Sequence, residues 1–134
     1  MAYIGQGIFA RLSQQTGLTT IVSNKIYPNI APSNSTVPYV TYHKISEGRI
    51  HAMRVDPGLA SARIQVSSWS TGKAQVDSMA RQTRLALQDY GGTTGGVTIQ
   101  RIFFDGETEI SDLEPETVAP FYHIAQDYIV WYTT

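Results

Sequence analysis

The sequence contains no cysteine. That absence excludes a disulfide framework, a thiolate metal site and a cysteine nucleophile, and it suits a reducing compartment. No apolar run approaches the roughly 20 residues needed to cross a bilayer, so no membrane partner is expected. The opening MAYIGQGIFARLSQQTG has neither a charged start nor a continuous apolar block, and it does not read as a signal peptide. Net charge is also nearly absent, at −1, which gives no overall pull toward nucleic acid or an anionic surface. There is no internal repeat.

What is present is an ordinary globular composition, 42% hydrophobic and 16% charged over 134 residues. A chain of this length buries a sizeable core without covalent staples, and it reads as a single domain over residues 1–134. The charge is unevenly placed. Residues 105–119 hold Asp105, Glu107, Glu109, Asp112, Glu114 and Glu116 with no Lys or Arg, so the rest of the chain is mildly basic. An acidic loop of this kind is either a solvated surface or a surface that meets basic groups or repels polyanions.

Along the chain, residues 2–16 carry Ile4, Ile8, Phe9 and Leu12 at helical spacing, with Gly17 placed as a left-handed cap and Leu18 as its apolar contact. LTTIVSN then reads as a short turn, and KIYPNIAPSNSTVP, with Pro28, Pro32 and Pro38, as an extended connection. Residues 39–46 are β-branched and aromatic, and predict a strand. A second strand covers 62–70, with Ile64 and Val66 on one face and Arg63, Gln65 and Trp69 on the other. The intervening EGRIHAMRVDPGLAS is too long for a tight turn and predicts an arm that carries Arg49, Ile50, Met53 and Arg54. Residues 71–90 form the longer helix, with Val76, Met79, Ala80, Thr83 and Leu87 inward and Lys73, Asp77, Arg81, Arg84 and Gln88 outward. GGTTGG reads as a flexible turn into a third strand, VTIQRIFF. After the acidic loop, FYHIAQDYIVWY alternates Tyr122, Ile124, Tyr128, Val130 and Tyr132 against Phe121, His123, Asp127 and Trp131. The order α-β-β-α-β-β predicts an α+β domain, a mainly antiparallel four-stranded sheet with two helices packed on one face and a long arm between its first two strands.

No chemistry can be assembled from the motifs. The glycines of GGTTGG run from a helix end into a strand, the reverse of a phosphate cradle. STGKA has Ser67 where a phosphate loop has its first glycine and Ala74 in place of the magnesium-binding hydroxyl residue. His43, His51 and His123 share no metal-ligand spacing, so no metal, no cofactor and no catalytic residue is assigned. His123 and Asp127 lie four residues apart on a strand, about 13 Å, beyond hydrogen-bond reach. The basic residues are scattered and the aromatics sit in strands, where packing is the default.

The sequence of IYP at 26–28, AP at 31–32, PYVTYHKIS, RIQVSSW, a helix, GG with a strand, and a closing DYIVWY resembles the tail-completion, or tail-terminator, proteins of long-tailed bacteriophages over about residues 9–132. The resemblance implies a non-enzymatic structural protein without cofactors. It implies a homo-oligomeric ring, typically a hexamer, that caps the tail tube, ends its elongation and joins it to the head-neck connector protein. DNA would pass through the lumen without specific binding. The implied place is the tail-neck junction of the virion, after assembly in the host cytoplasm. The residue reading adds candidate interface positions to this. The arm and its surroundings supply Arg49, Ile50, Met53, Arg54 and Arg63, and the acidic loop supplies Glu107, Glu109, Glu114 and Glu116. The two sets meet across a subunit boundary or at the face presented to the tail, or else the acidic loop lines the lumen and repels DNA. A head-completion or neck connector protein is the nearest rival, and a small RNA- or ligand-binding α+β domain a more distant one.

Overall fold

Residues 3–32, 35–49, 58–113 and 120–133 are described by the computed structural model. Two helices, α1 (Ile4–Gln14) and α2 (Thr16–Val22), precede a short strand β1 (Ile26–Pro28) and the hairpin strands β2 (Tyr39–Arg49) and β3 (Leu59–Ser70). Helix α3 (Lys73–Leu87) then leads to β4 (Gly92–Thr94), β5 (Val97–Leu113) and β6 (Pro120–Thr133). The strands form one sheet in the order β1-β2-β3-β6-β5-β4, curled into a half-barrel. β1 pairs with β2 in parallel, and each of the other neighbours is antiparallel.

Successive side chains on a strand point to opposite faces, and in β3 and β6 the even-numbered positions are the buried ones. Ile64, Val66, Tyr128, Val130 and Tyr132 are closed from solvent beneath α1, α2 and α3. The helices supply Ile8, Leu12, Leu18, Val22, Met79 and Leu87 to the same core. The predicted inner stripe of α3 is observed: Val76, Met79, Ala80, Thr83 and Leu87 are all buried. α1 is clamped to the last turn of α3 by Arg11, whose Nε and Nη2 donate to the Ala86 carbonyl at 3.1 and 2.8 Å. The same guanidinium lies 4.1 Å from the centre of the Tyr90 ring. A cation at a helix C-terminus satisfies carbonyls that have no partner within the helix. No helix among the described residues is long and apolar enough to cross a membrane.

The expected four-stranded sheet with two helices is corrected to a mixed six-stranded sheet with three helices. The two additional strands have three residues each, too few to show a period. β1 exists because Val40 N donates to the Lys25 carbonyl at 3.0 Å and Asn29 N donates to the Tyr42 carbonyl at 2.7 Å. Pro28 is tolerated because β1 is an edge strand. β4 exists because Gly95 and Gly96 take φ of 57° and 79°, the left-handed pair of a two-residue hairpin turn, so GGTTGG is half strand. A side chain on Gly95 would also run into the Gln6 carbonyl of α1.

The first helix, expected over 2–16, breaks at Gln15, which is extended at ψ 100° and whose Nε2 donates to Gln82 Oε1 at 2.8 Å. LTTIVSN is therefore mostly helix rather than turn. Gly17 is no left-handed cap: it sits inside α2, where a side chain would strike Gln82. β5 runs to Leu113, so much of the expected acidic loop is strand.

Candidate functional site

All three helices lie on one side of the sheet, and the odd-numbered residues of β3 and β6 line the face they leave open. That face is not a blank polar surface. At one end the register places Tyr39, Trp69, His123 and Ile110 side by side on β2, β3, β6 and β5. Tyr27 of β1 extends the row, its ring 6.0 Å from Tyr39, which is in turn 6.0 Å from Trp69. Trp69 and His123 stack at 3.7 Å with 8° between their planes. Trp69 Nε1 donates to Thr41 Oγ1 at 3.2 Å. Burial lowers the His123 pKa, because the charged imidazolium is the form that loses most on leaving water. Burial raises that of Tyr39, with Tyr27 a smaller contribution. His123 Nε2 meets no hydrogen-bond partner among the described residues.

The middle of the open face is ionic. Arg63 Nη2 contacts Asp105 at 2.8 Å and Nη1 contacts Asp127 at 3.4 Å. Gln65 Nε2 donates to Asp127 Oδ1 at 3.3 Å. Asp105 reaches this face because it is the extra residue in a bulge between Phe104 and Gly106. At the far end lie Trp131, Phe103 and Arg101, with Phe103 47% exposed.

Two bulges in β5 reset its alternation, after Ile99 and after Phe104. Glu107 and Glu109 consequently point to the helix side, opposite Gln126 and Ile124. Glu109 is ion-paired with Lys73 of α3, which also holds Asp77 at 2.8 Å. These partners push the Lys73 pKa up to about 12, chiefly through the hydrogen bonds to Asp77 and Glu109. Glu107 accepts from Gln126 Nε2 at 2.9 Å, and that nitrogen also donates to the Ala80 carbonyl at 3.0 Å. Tyr128 completes the chain, its hydroxyl donating to Gln126 Oε1 at 3.2 Å, and burial raises its pKa. A groove follows along α3, lined by Asp77, Arg81, Arg84, Glu107, Ile124 and Gln126.

Of the predicted interface positions, Arg63, Glu107 and Glu109 thus have partners within the chain. Arg49 is the last residue of β2. Ile50, Met53, Arg54, Glu114 and Glu116 lie outside the described residues. The connection from β2 to β3 leaves the sheet beside Arg49 and Leu59, where Thr133 ends β6. The connection from β5 to β6 leaves beside Leu113 and Pro120, at the opposite end of the 14-residue β6. The two ends are about 45 Å apart along that strand. Sequence reasoning missed the aromatic row, the Asp105 contact and the α3 groove. The odd-position aromatics were a signal for the row, but its membership follows from strand register.

The family model described as tail completion protein gp17 matches residues 6–133. A comparison with curated proteins gives no match. Among solved structures, a chain from the "Virion of native gene transfer agent (GTA) particle" is similar, with a TM-score of 0.77 and 13% identity. That alignment covers 99% of this chain and 96% of the other, and at this identity it is a likeness of fold.

Proposed function

Because the chain belongs to the tail completion protein gp17 family, we propose that it forms a ring that caps the tail tube, stops its elongation and joins it to the head-neck connector. It is a structural component of a phage tail, and its place is in the virion. The ring is a hexamer at the tail-neck junction, assembled in the host cytoplasm, and DNA crosses its lumen without specific binding. The role requires no catalysis and no cofactor.

The observation that supports this reading is the separation of charge to opposite ends of the sheet. A protomer in a closed ring meets its neighbours through two different surfaces. The β2–β3 connection begins at Arg49 and carries Ile50, Met53 and Arg54. The β5–β6 connection carries Glu114 and Glu116. The two segments leave the sheet at opposite ends of β6, about 45 Å apart. Arg63, Glu107 and Glu109 instead hold β3, β5, β6 and α3 together within the chain.

The test is tube growth. Purified tail-tube protein polymerised with this protein gives shorter tubes that end in a ring, while Arg49→Glu with Arg54→Glu fails to join tube or connector at unchanged melting temperature. Tubes of the same length with and without the protein would remove the capping role.

A further inference from the structure

We infer that Arg81 and Arg84, on the outer face of α3, receive the acidic segment 112–116 of a neighbouring copy of this chain. The inference rests on the ring proposed above and names the contact that closes it. It comes from accounting for charge. Among the described residues, Arg11, Lys25, Lys44, Arg63, Lys73 and Arg101 each hold a carbonyl or carboxylate of their own chain. Arg81 and Arg84 are exposed and have no ion pair or hydrogen bond among the described residues. They stand one turn apart over the groove between α3 and the sheet, whose other side is Glu107. The groove has two carboxylates, and both are engaged elsewhere: Asp77 holds Lys73, and Glu107 accepts from Gln126.

The acidic side chains show the reverse balance. Glu47, Asp77, Asp89, Asp105, Glu107, Glu109 and Asp127 all have partners within the chain. The sequence places three further carboxylates, Asp112, Glu114 and Glu116, within five residues. The strand that leads into them runs away from the two arginines of its own chain. Glu107 lies in the groove and Glu109 meets Lys73 in the first turn of α3, so β5 runs past the start of that helix. It continues to Leu113, paired with Pro120, so the described end of the strand lies roughly 20 Å beyond Glu107. The complementary surface for the segment is therefore on a second copy. Two unlike surfaces joined in this way make a head-to-tail contact, the type that closes a ring. A single exposed pair is weak, so the contact depends on its repetition around the ring and weakens as salt rises.

The cysteine-free chain allows a direct test. Arg84→Cys protein mixed with Glu116→Cys protein on tail tubes, then oxidised, yields a covalent dimer of the two variants that neither gives alone. By sedimentation, Arg81→Glu with Arg84→Glu lowers association between copies at least tenfold. Glu114→Arg with Glu116→Arg does the same, and all four changes in one chain restore association to within about threefold. Variants that associate like the unsubstituted chain, or a fourfold variant as weak as its parents at unchanged melting temperature, would overturn the contact while leaving the ring standing. An unsubstituted chain that stays monomeric on tail tubes removes both. Loss of duplex DNA retention in Arg81→Glu with Arg84→Glu, with association unchanged, would overturn it in favour of phosphate as the ligand.

Discussion

The helix-covered and open faces of the sheet share the same strands but differ in how they are held. Under the helices, Ile64, Val66 and Val130 are closed from solvent in a core that also takes in Tyr128 and Tyr132, and stability follows from area removed from water. Among the described residues no helix covers the open face. It substitutes a row of rings, Tyr27 to His123, and a set of charges centred on Arg63. Large flat groups shield the strands between them while part of each ring stays accessible. The two faces separate residues closed into the core from residues that remain accessible.

The largest effect is expected on the closed side. Leu12 is fully buried, so Leu12→Ala costs about 3 kcal/mol and lowers the melting temperature by roughly 10 °C in a thermal scan. Gly95→Ala combines a left-handed φ with a collision against α1 and costs about 2 kcal/mol, measured by urea unfolding. On the open face, Trp69→Ala loses contacts to Tyr39 and His123 but leaves the helical core intact, and costs about 1.5 kcal/mol in the same assay. A Trp69 variant as damaging as Leu12→Ala would erase the distinction between the faces.

A smaller effect concerns pH. The folded His123 pKa is lowered from its ordinary 6.5, so the unfolded chain takes up a proton first as pH falls. Stability from this residue is full above about pH 6.5 and is lost as pH drops toward the folded value. His123→Phe keeps a ring against Trp69 and flattens the dependence of melting temperature on pH between about 7 and 5. An unchanged slope would show that the imidazole does not carry it. The smallest effect is Phe103→Ser, at a half-exposed position, within about 0.5 kcal/mol of the parent protein by urea unfolding.

Long periodic segments are legible in the sequence. The inner stripe of α3, the two faces of β3 and the alternation of β6 depend on local chain geometry, and each is repeated often enough to be seen. β1, β4 and the break at Gln15 are not legible there. They depend on hydrogen bonds to distant strands, on a two-residue turn and on the packing of Gln15 against Gln82. The candidate site divides in the same way. Arg49, Arg54, Glu114 and Glu116 stand out from charge alone, whereas Asp105 meets Arg63 through a bulge that a strict alternation hides.

The order of residues alone settles the apolar faces of the long elements, the concentration of acid in residues 105–119 and the match to the tail completion protein family over residues 6–133. These are properties of neighbouring residues, so a linear reading reaches them. Which of those charges are already matched is a property of the folded chain. An ion pair depends on strand register, on bulges and on which helix lies opposite. Those set Arg63, Glu107 and Glu109 against partners in their own chain and leave Arg81 and Arg84 facing outward.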